Sequence, residues 1–144
     1  MLVSQILKSK ADAGVVTLPP GTTVAQVAEV LSRQRIGAVV VSRDGKMVEG
    51  IVSERDVVRE LGRRGPVCLG DAVEGIMTAR VTTCTRGDRA DDVLQRMTDG
   101  RFRHLPVVEA GQMVGLISIG DVVKARLAEL SMEKDALEGM IKGF

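Results

Sequence analysis

The sequence predicts an α/β (α+β) fold in which two similar β-α-β-β-α units pack about a pseudo-twofold axis. Three observations together predict this fold: an internal repeat, the same order of apolar patterns in each copy, and the short chain. The chain has 144 residues, of which 44% are hydrophobic, which is sufficient for a core. A unit of about 60 residues buries too little of its chain to be comfortably stable alone, so we expect the two units to pack together.

The repeat relates two pairs of segments. Gly21–Val41 aligns with Gly87–Val107 at an offset of 66, and Gly50–Arg59 aligns with Gly115–Lys124 at an offset of 65. Five of the ten positions in the second pair are identical. A period of this length that occurs only twice indicates a duplicated half-domain rather than a solenoid.

A strand and then a helix open each copy. In the first copy, apolar residues recur at i, i+3, i+4 and i+7 from Val24 to Leu31, the stripe of an amphipathic helix. The second copy repeats the stripe from Ala90 to Met97. The expected helix caps are Thr22 or Thr23 and Asp88, and the expected strands before the helices cover residues 15–17 and 81–83.

Two strands and a second helix close each copy. The β-branched run Val39–Val41 predicts a strand, and Asp44-Gly45 suits a tight turn because Gly tolerates positive φ. The strand after that turn is expected at Met47-Val48 and Ile51-Val52, and the second copy has the matching features at Leu105–Val108, Gly111 and Met113–Ile117. The second helices are expected to begin near Asp56 and Asp121.

The segment Arg63–Pro66 marks the linker, because Pro66 cannot continue the first of these helices. We therefore predict a first repeat over residues 1–64, a second over 65–130 and a C-terminal helical extension over 131–144.

Composition argues against several classes of function. Twenty Lys and Arg nearly cancel nineteen Asp and Glu, so no overall field favours nucleic acid or an acidic membrane. Two Phe with no Trp or Tyr cannot build base-stacking platforms. One His and two Cys argue against a zinc site, a disulfide framework or a catalytic nucleophile with its base. These counts lead us to expect a non-enzymatic protein without a catalytic cofactor or metal. We also expect a cytoplasmic protein, because no signal peptide or long apolar span is evident.

One motif recurs at corresponding places, as Ser53-x-x-Asp56 and Ser118-x-x-Asp121. A Ser N-cap with an acidic residue three positions later is a variant of the capping box, so capping alone explains the motif. Capping does not explain the Gly that precedes each Ser by three residues. A backbone site, a hydroxyl and a carboxylate at one cleft mouth also suit a ribose diol and a phosphate oxygen.

Four segments resemble the cystathionine β-synthase (CBS) domain, present as a tandem pair or Bateman module. They are Gly50–Asp56, Gly115–Asp121, Arg103–Val108 and Ile76–Thr78. The resemblance covers the chain from about Ile6 to Lys124. It implies a stand-alone regulatory module that senses energy state by binding an adenine nucleotide between its halves. The implied ligands are AMP, ADP, ATP, S-adenosylmethionine or a dinucleotide such as NAD.

The resemblance also implies roles for residues. Asp56, with Ser53 beside it, would hold the ribose, and Arg103 and His104 from the other copy would contact phosphate. His104 has a second interpretation, as a half-buried strand residue satisfied by a neighbour. The positions that match Arg103 and His104 in the first copy are Gly and Ala, so we expect the charged nucleotide in the Asp56 cleft.

The cleft around Ser118 and Asp121 has three possible uses. It takes the nucleoside part of a dinucleotide, recruits Lys8 or Lys10, or stays empty. With so few aromatic residues, the base is expected between aliphatic walls. The predicted walls are Val52, Val81 and Phe102, and the other predicted contacts are Gly50, Thr82, Pro106, Thr17 and Ile36.

The last predicted helix outgrows its repeat. From Asp121 the helical pattern continues to about Ile141, with apolar residues on one roughly heptad-spaced stripe. This pattern predicts a homodimer, and a hairpin back onto the chain's own domain is the alternative. The competing hypotheses for the whole protein are a constitutive dimeric scaffold that binds no nucleotide and a small nucleotide-dependent enzyme.

Overall fold

The computed structural model describes residues 1–10 and 14–143. Residues 11–13 of the predicted first repeat, and residue 144 of the predicted extension, lie outside the described residues. The helices are α1 (Val3–Ser9), α2 (Val24–Gln34), α3 (Glu54–Arg64), α4 (Ala90–Gly100) and α5 (Ile119–Ile141). The strands are β1 (Thr17–Leu18), β2 (Ala38–Val41), β3 (Gly50–Ser53), β4 (His104–Glu109) and β5 (Gln112–Ser118). The predicted mixed α/β class with two related halves is confirmed.

Each half has its own small sheet. In the first half, β1 pairs parallel with β2, and β2 pairs antiparallel with β3. In the second half, β4 pairs antiparallel with β5, and the register shifts between Val107 and Val108. His104 lies opposite Ser118, as Ala38 lies opposite Ser53. Ser53 and Ser118 therefore end their strands at corresponding places in the two sheets.

The strands expected before α2 and α4 are only partly present. Pairing in the first half begins at Thr17 rather than at residue 15. The expected strand at 81–83 is not formed, and its segment joins the second sheet through one isolated bridge between Cys84 and Val107. The strand expected from Met47 begins only at Gly50. The Asp44 carboxylate accepts hydrogen bonds from the amides of residues 46 and 47 and so lengthens the turn.

Helix ends follow the sequence except in one place. Thr23 caps α2 as expected, its hydroxyl accepting from the Gln26 amide at 3.1 Å. Asp88 does not cap α4, whose N-cap is Arg89. The Asp88 carboxylate instead accepts from the Thr85 amide and from Arg96, both at 2.9 Å. The Asp88 carboxylate thus closes the turn before α4 and does not cap that helix.

Two separate cores lie under the two halves, and each includes a segment from the other half. Val3 and Ile6 of α1 are buried in the core of the second half. Val73, which follows the linker, is buried in the core of the first half, with Ile76 and Met77 packed against it. The lead-in segment of each repeat therefore crosses to its neighbour. This exchange was not predicted.

The crossing segments explain the two glycines of the repeated motif. A Cβ on Gly115 would lie 2.7 Å from Leu7 of α1, and a Cβ on Gly50 would overlap the Met77 side chain. In each half, a side chain of the crossing segment lies directly on the strand at its glycine. Close packing therefore requires the missing Cβ.

The helix α5 is continuous for 23 residues. Val122 and Ala125 bury it against the second half, whereas Leu127, Leu137 and Ile141 are 62%, 60% and 84% exposed. The alternative of a hairpin back onto the domain is wrong for the described residues, because the helix does not reverse before Ile141. In residues 1–10 and 14–143, no helix combines the length and apolar character needed to cross a membrane.

Candidate functional site

Two cavities lie between the halves. The Asp56 cavity, of about 850 Å³, is lined by β3 and the start of α3 from the first half, and by residues 78–82 and 100–104 from the second. The Asp121 cavity, of about 680 Å³, is lined by Lys10, residues 14–16 and 34–38, and by β5 with Asp121. Asp56 and Arg103, which come from different halves, line the same cavity.

The Asp56 carboxylate is held by the start of its own helix. Its Oδ2 accepts from the Ser53 amide at 2.9 Å and from the Ser53 hydroxyl at 3.1 Å. Its Oδ1 accepts from Arg59 at 2.8 Å, and the Arg59 side chain is 68% exposed. The motif therefore does form a capping box. Because an ionised carboxylate oxygen accepts more than one hydrogen bond, Oδ1 keeps acceptor capacity at the cavity wall.

The Asp56 cavity concentrates positive charge. Five arginines line it, against the two carboxylates of Glu54 and Asp56. Of the fourteen arginines in the chain, eight make ion pairs with carboxylates of the described residues. Four of the other six line this cavity, namely Arg55, Arg80, Arg101 and Arg103. A cavity lined by several guanidiniums without ion-pair partners is suited to an anion with several oxygens.

Arg101 also has an unusual backbone conformation. It ends α4 in the left-handed region at φ +59°, and its counterpart Arg35 ends α2 at φ +54° and lines the Asp121 cavity. Glycine is the usual residue at such a helix end, and a side chain there costs free energy. Outliers of this kind concentrate at binding sites. Sequence reasoning missed both as site residues, although their identity across the repeat was a visible signal.

His104 lies on the wall between the cavities and lines both. A Cβ added to Gly37 would lie 3.0 Å from its imidazole ring, so Gly37 makes room for it. Burial lowers the pKa of His104 and outweighs the opposite effects of Glu54 and Asp121, while Lys10 and Arg103 lower it further. The imidazole is therefore neutral at pH 7, consistent with the half-buried interpretation, and yet it lies within reach of either cavity.

The carboxylate of the Asp121 cavity is neutralised by the chain itself. Lys10 pairs with Asp121 at 2.9 Å and donates to the Leu116 carbonyl at 2.7 Å. Burial opposes the charged form of Asp121, but the Ser118 amide and Lys10 together lower its pKa. Of the two lysines proposed for this cleft, Lys10 lines the cavity and Lys8 does not. At an offset of 66, residues 14 and 37 take the places of Arg80 and Arg103, and both are glycines.

Several predicted contacts lie elsewhere. Val52 is 0% exposed in the first core, because side chains alternate along β3 and Ile51 is the residue that lines the cavity. Pro106 is buried in β4, Thr17 lies in β1, and Gly50 faces Met77, so none of these lines either cavity. The structure does place Val81, Thr82 and Phe102 on the Asp56 cavity, and Ile36 and Ser118 on the Asp121 cavity.

The residues just before β1 have a position that the sequence did not predict. Val15 and Val16 line the Asp121 cavity, and Val81 and Thr82, at an offset of 66, line the Asp56 cavity. The stretches expected to begin the strands at 15 and 81 therefore form cavity walls.

Comparisons with known proteins, by sequence and by structure, all match CBS domain proteins. The CBS domain family profile matches residues 3–63 and 73–128. The CBS domain-containing protein CBSX3, mitochondrial, of Arabidopsis thaliana is 33% identical over 98% of this chain and 72% of its own length. The CBS-domain containing protein ATU1752 of Agrobacterium tumefaciens has a TM-score of 0.83 at 42% identity, covering 88% of this chain and 99% of its own.

A further solved structure contains a ligand. The CBS domain protein PAE2072 of Pyrobaculum aerophilum, complexed with AMP, has a TM-score of 0.77 at 30% identity. The similarity covers 92% of this chain and 99% of that one.

Proposed function

Because the chain belongs to the CBS domain family and contains the domain twice, we propose that it is a regulatory module that binds an adenine nucleotide in the Asp56 cavity. The observation that carries the proposal is the cluster of four arginines that make no ion pair in the described part of the chain, in a cavity that also contains Asp56. The AMP complex of the Pyrobaculum relative supports the same class of ligand.

We assign each part of a nucleotide to a wall of the cavity. We place the ribose diol at Oδ1 of Asp56, where the exposed Arg59 is the only partner within residues 1–10 and 14–143. The base lies between the apolar side chains of Ile51, Val81 and Phe102. The phosphates extend toward Arg103 and Arg80, so one molecule bridges the two halves.

The charge of the cavity favours ligands with two or more phosphates. Each guanidinium offers several donors in a fixed geometry, and the four guanidiniums that pair with no described carboxylate can satisfy more oxygens than one phosphate presents. We therefore rank ATP and NAD above AMP, and AMP above adenosine. S-adenosylmethionine ranks low because its sulfonium adds positive charge to an already positive cavity.

The proposal is tested by titration calorimetry with ATP, NAD, AMP and adenosine on Asp56→Ala and Asp121→Ala. Both substitutions remove a capping-box carboxylate, since the Ser118 amide donates to Asp121 at 2.9 Å just as the Ser53 amide does to Asp56. Each is expected to cost about 1 kcal/mol of stability. Asp56→Ala is expected to weaken nucleotide binding about tenfold or more through the lost charge-assisted contacts, whereas Asp121→Ala keeps it. Equal affinities in the two variants would contradict the assignment.

A constitutive scaffold that binds no nucleotide is the second candidate. It is favoured by the completeness of the two capping boxes, which explain Ser53, Asp56, Ser118 and Asp121 without a ligand. The same titration separates the candidates. Absence of heat and of any thermal shift at millimolar nucleotide would favour the scaffold.

A regulatory module has to transmit the binding of its ligand to a partner protein. We propose that this partner is a second copy of the chain, held by the exposed part of α5. We also propose that the module works in the cytoplasm without catalysis. The Arabidopsis relative is named as mitochondrial, and for the present chain the cytoplasmic location stays a prediction.

A further inference from the structure

The Asp56 cavity carries more positive charge than its own carboxylates balance. Five arginines and two carboxylates line it, and Arg59 pairs with Asp56, so this pair adds no net charge. Against the four other guanidiniums, which pair with no described carboxylate, the described wall sets one carboxylate, that of Glu54. Burial lowers the pKa of His104, so its ring adds no charge at pH 7. The cavity is therefore suited to a ligand with several negative charges.

The same walls offer little to a metal cation. Both carboxylate oxygens of Asp56 already accept hydrogen bonds, from Ser53 and Arg59. Glu54 is the remaining carboxylate of the described wall, and its amide donates to the Gly37 carbonyl at 2.9 Å at the start of α3. No group of three or more His, Cys, Asp and Glu among the described residues could hold a metal ion. One carboxylate beside four guanidiniums is a weak site for Mg²⁺, because the ion prefers several oxygen ligands and like charges repel.

ATP occurs in two forms that differ in charge. Without metal it carries about four negative charges near neutral pH, since its terminal phosphate is almost doubly ionised and each of the other phosphates adds about one. Bound Mg²⁺ cancels half of this charge and is held by the oxygens of neighbouring phosphates. The four guanidiniums of the cavity therefore match the charge of the metal-free form more closely.

Mg²⁺ and the guanidiniums compete for the same phosphate oxygens. A guanidinium donates to two oxygens at once when both are available, and an oxygen that is bound to the metal is a poorer acceptor. We have placed the phosphates at Arg103 and Arg80, so the metal would lie beside these two cations and be repelled by them. NAD differs, because its pyrophosphate is doubly esterified and lacks the terminal phosphate that makes ATP a chelator. The two ligands therefore respond differently to magnesium.

We propose that the Asp56 cavity binds metal-free ATP and rejects its magnesium complex, so that Mg²⁺ competes with the protein for ATP. The inference rests on the proposed nucleotide site and names the ionic form of the ligand. Occupancy of the module by ATP then falls as the magnesium concentration rises, whereas occupancy by NAD stays constant. At excess magnesium, NAD ranks above ATP.

Titration calorimetry with ATP and NAD tests the proposal in two buffers of equal pH and ionic strength. One buffer contains EDTA, and the other contains millimolar Mg²⁺ in both cell and syringe. ATP is expected to bind about tenfold or more weakly in magnesium, because only its small metal-free fraction is competent, whereas the affinity of NAD changes by less than about twofold. Equal ATP affinities in the two buffers, with NAD bound, would overturn this inference and leave the nucleotide site standing. Absence of binding by both ligands in both buffers would overturn the proposed function, and this inference with it.

Glu54→Gln tests whether the cavity takes the magnesium complex through its remaining carboxylate. Glu54 is exposed, so the substitution is not expected to disturb folding. Because a negative charge near the phosphates is removed, the ATP affinity in EDTA is expected to rise or stay the same, and the weakening by magnesium to persist. A loss of affinity confined to the magnesium buffer would show that Glu54 holds the metal, against the proposal.

Charge reversal supplies a matched pair of variants. Arg101→Glu removes one guanidinium from the cavity and adds a carboxylate that Mg²⁺ can use, so the ratio of the ATP affinities in EDTA and in magnesium is expected to fall several-fold. Arg86→Glu makes the same change outside both cavities and is expected to leave this ratio unaltered. An equal ratio in the two variants contradicts the role of the cavity charge.

Discussion

The two carboxylate oxygens of Asp56 have different partners. Asp56 caps α3 through Oδ2, accepts from Arg59 through Oδ1 and lines the cavity, so capping and ligand binding are not exclusive interpretations of the motif. The arginines differ from Asp56, because Arg80 and Arg103 make no ion pair among the described residues. Their charge is the clearest indication of an anionic ligand.

Replacing Arg103 by Ala tests this charge directly. We expect ATP binding to weaken by about ten- to a hundredfold, the size of one lost charge-assisted contact, with adenosine binding changed less than about twofold. Arg86→Ala is the matched control, because Arg86 also has no ion pair in the described part of the chain and lies outside both cavities. Calorimetry on both variants measures the difference. Equal losses for ATP and adenosine would remove Arg103 from the phosphate site.

At the scale of elements, the exchange of lead-in segments fixes how the strands are packed. Met77 lies on β3 at Gly50, and Leu7 lies on β5 at Gly115. Each half is thus completed by a segment of the other, which ties the halves together next to the cavities. The glycine that suggested a ligand site in the sequence is a packing requirement of this exchange.

We therefore expect Gly50→Ala to destabilise the protein by about 1–3 kcal/mol through overpacking against Met77. In a Met77→Ala background, where the space is vacated, the same change is expected to cost less than about 0.5 kcal/mol. Urea denaturation of the four proteins of this cycle gives both values. An equal cost in both backgrounds would show that the clash with Met77 is not the cause.

At the scale of the whole molecule, the duplication gives two cavities that differ in how much positive charge lines them. Lys10 already pairs with the carboxylate of Asp121, whereas four of the five arginines of the Asp56 cavity make no ion pair among the described residues. His104 belongs to both, since it stands on the wall that separates them. Its charge therefore responds to what either cavity holds.

This position predicts a pH dependence of binding. Burial holds the pKa of His104 below its usual value, so the ring is neutral in the unliganded protein at pH 7. A bound phosphate favours the protonated ring and raises that pKa, so binding takes up a proton and affinity increases as the pH falls from about 8 to 6. NAD is the suitable probe because its phosphodiester charge is constant over this range. His104→Gln is expected to abolish the dependence in calorimetry, and an unchanged profile in that variant would assign it to another group.

The sequence by itself determined the duplicated architecture, the element order, the two capping motifs and the long last helix. These features depend on local periodicity and on side chains that act within a few residues of their own position, as Thr23, Ser53 and Ser118 do. The asymmetry between the clefts was also visible, because it follows from comparing Arg103 with Gly37.

Only the tertiary structure decided which residues face the cavities. One strand position separates Ile51, which lines the cavity, from Val52, which is buried in the core, and the sequence alone does not show which face of a strand is turned inward. The exchange of Val3 and Val73 between the cores, and the convergence of Arg80 and Arg101 on one cavity, depend on contacts between distant segments. Local patterns do not encode such contacts, because they arise only when the two halves are packed against each other.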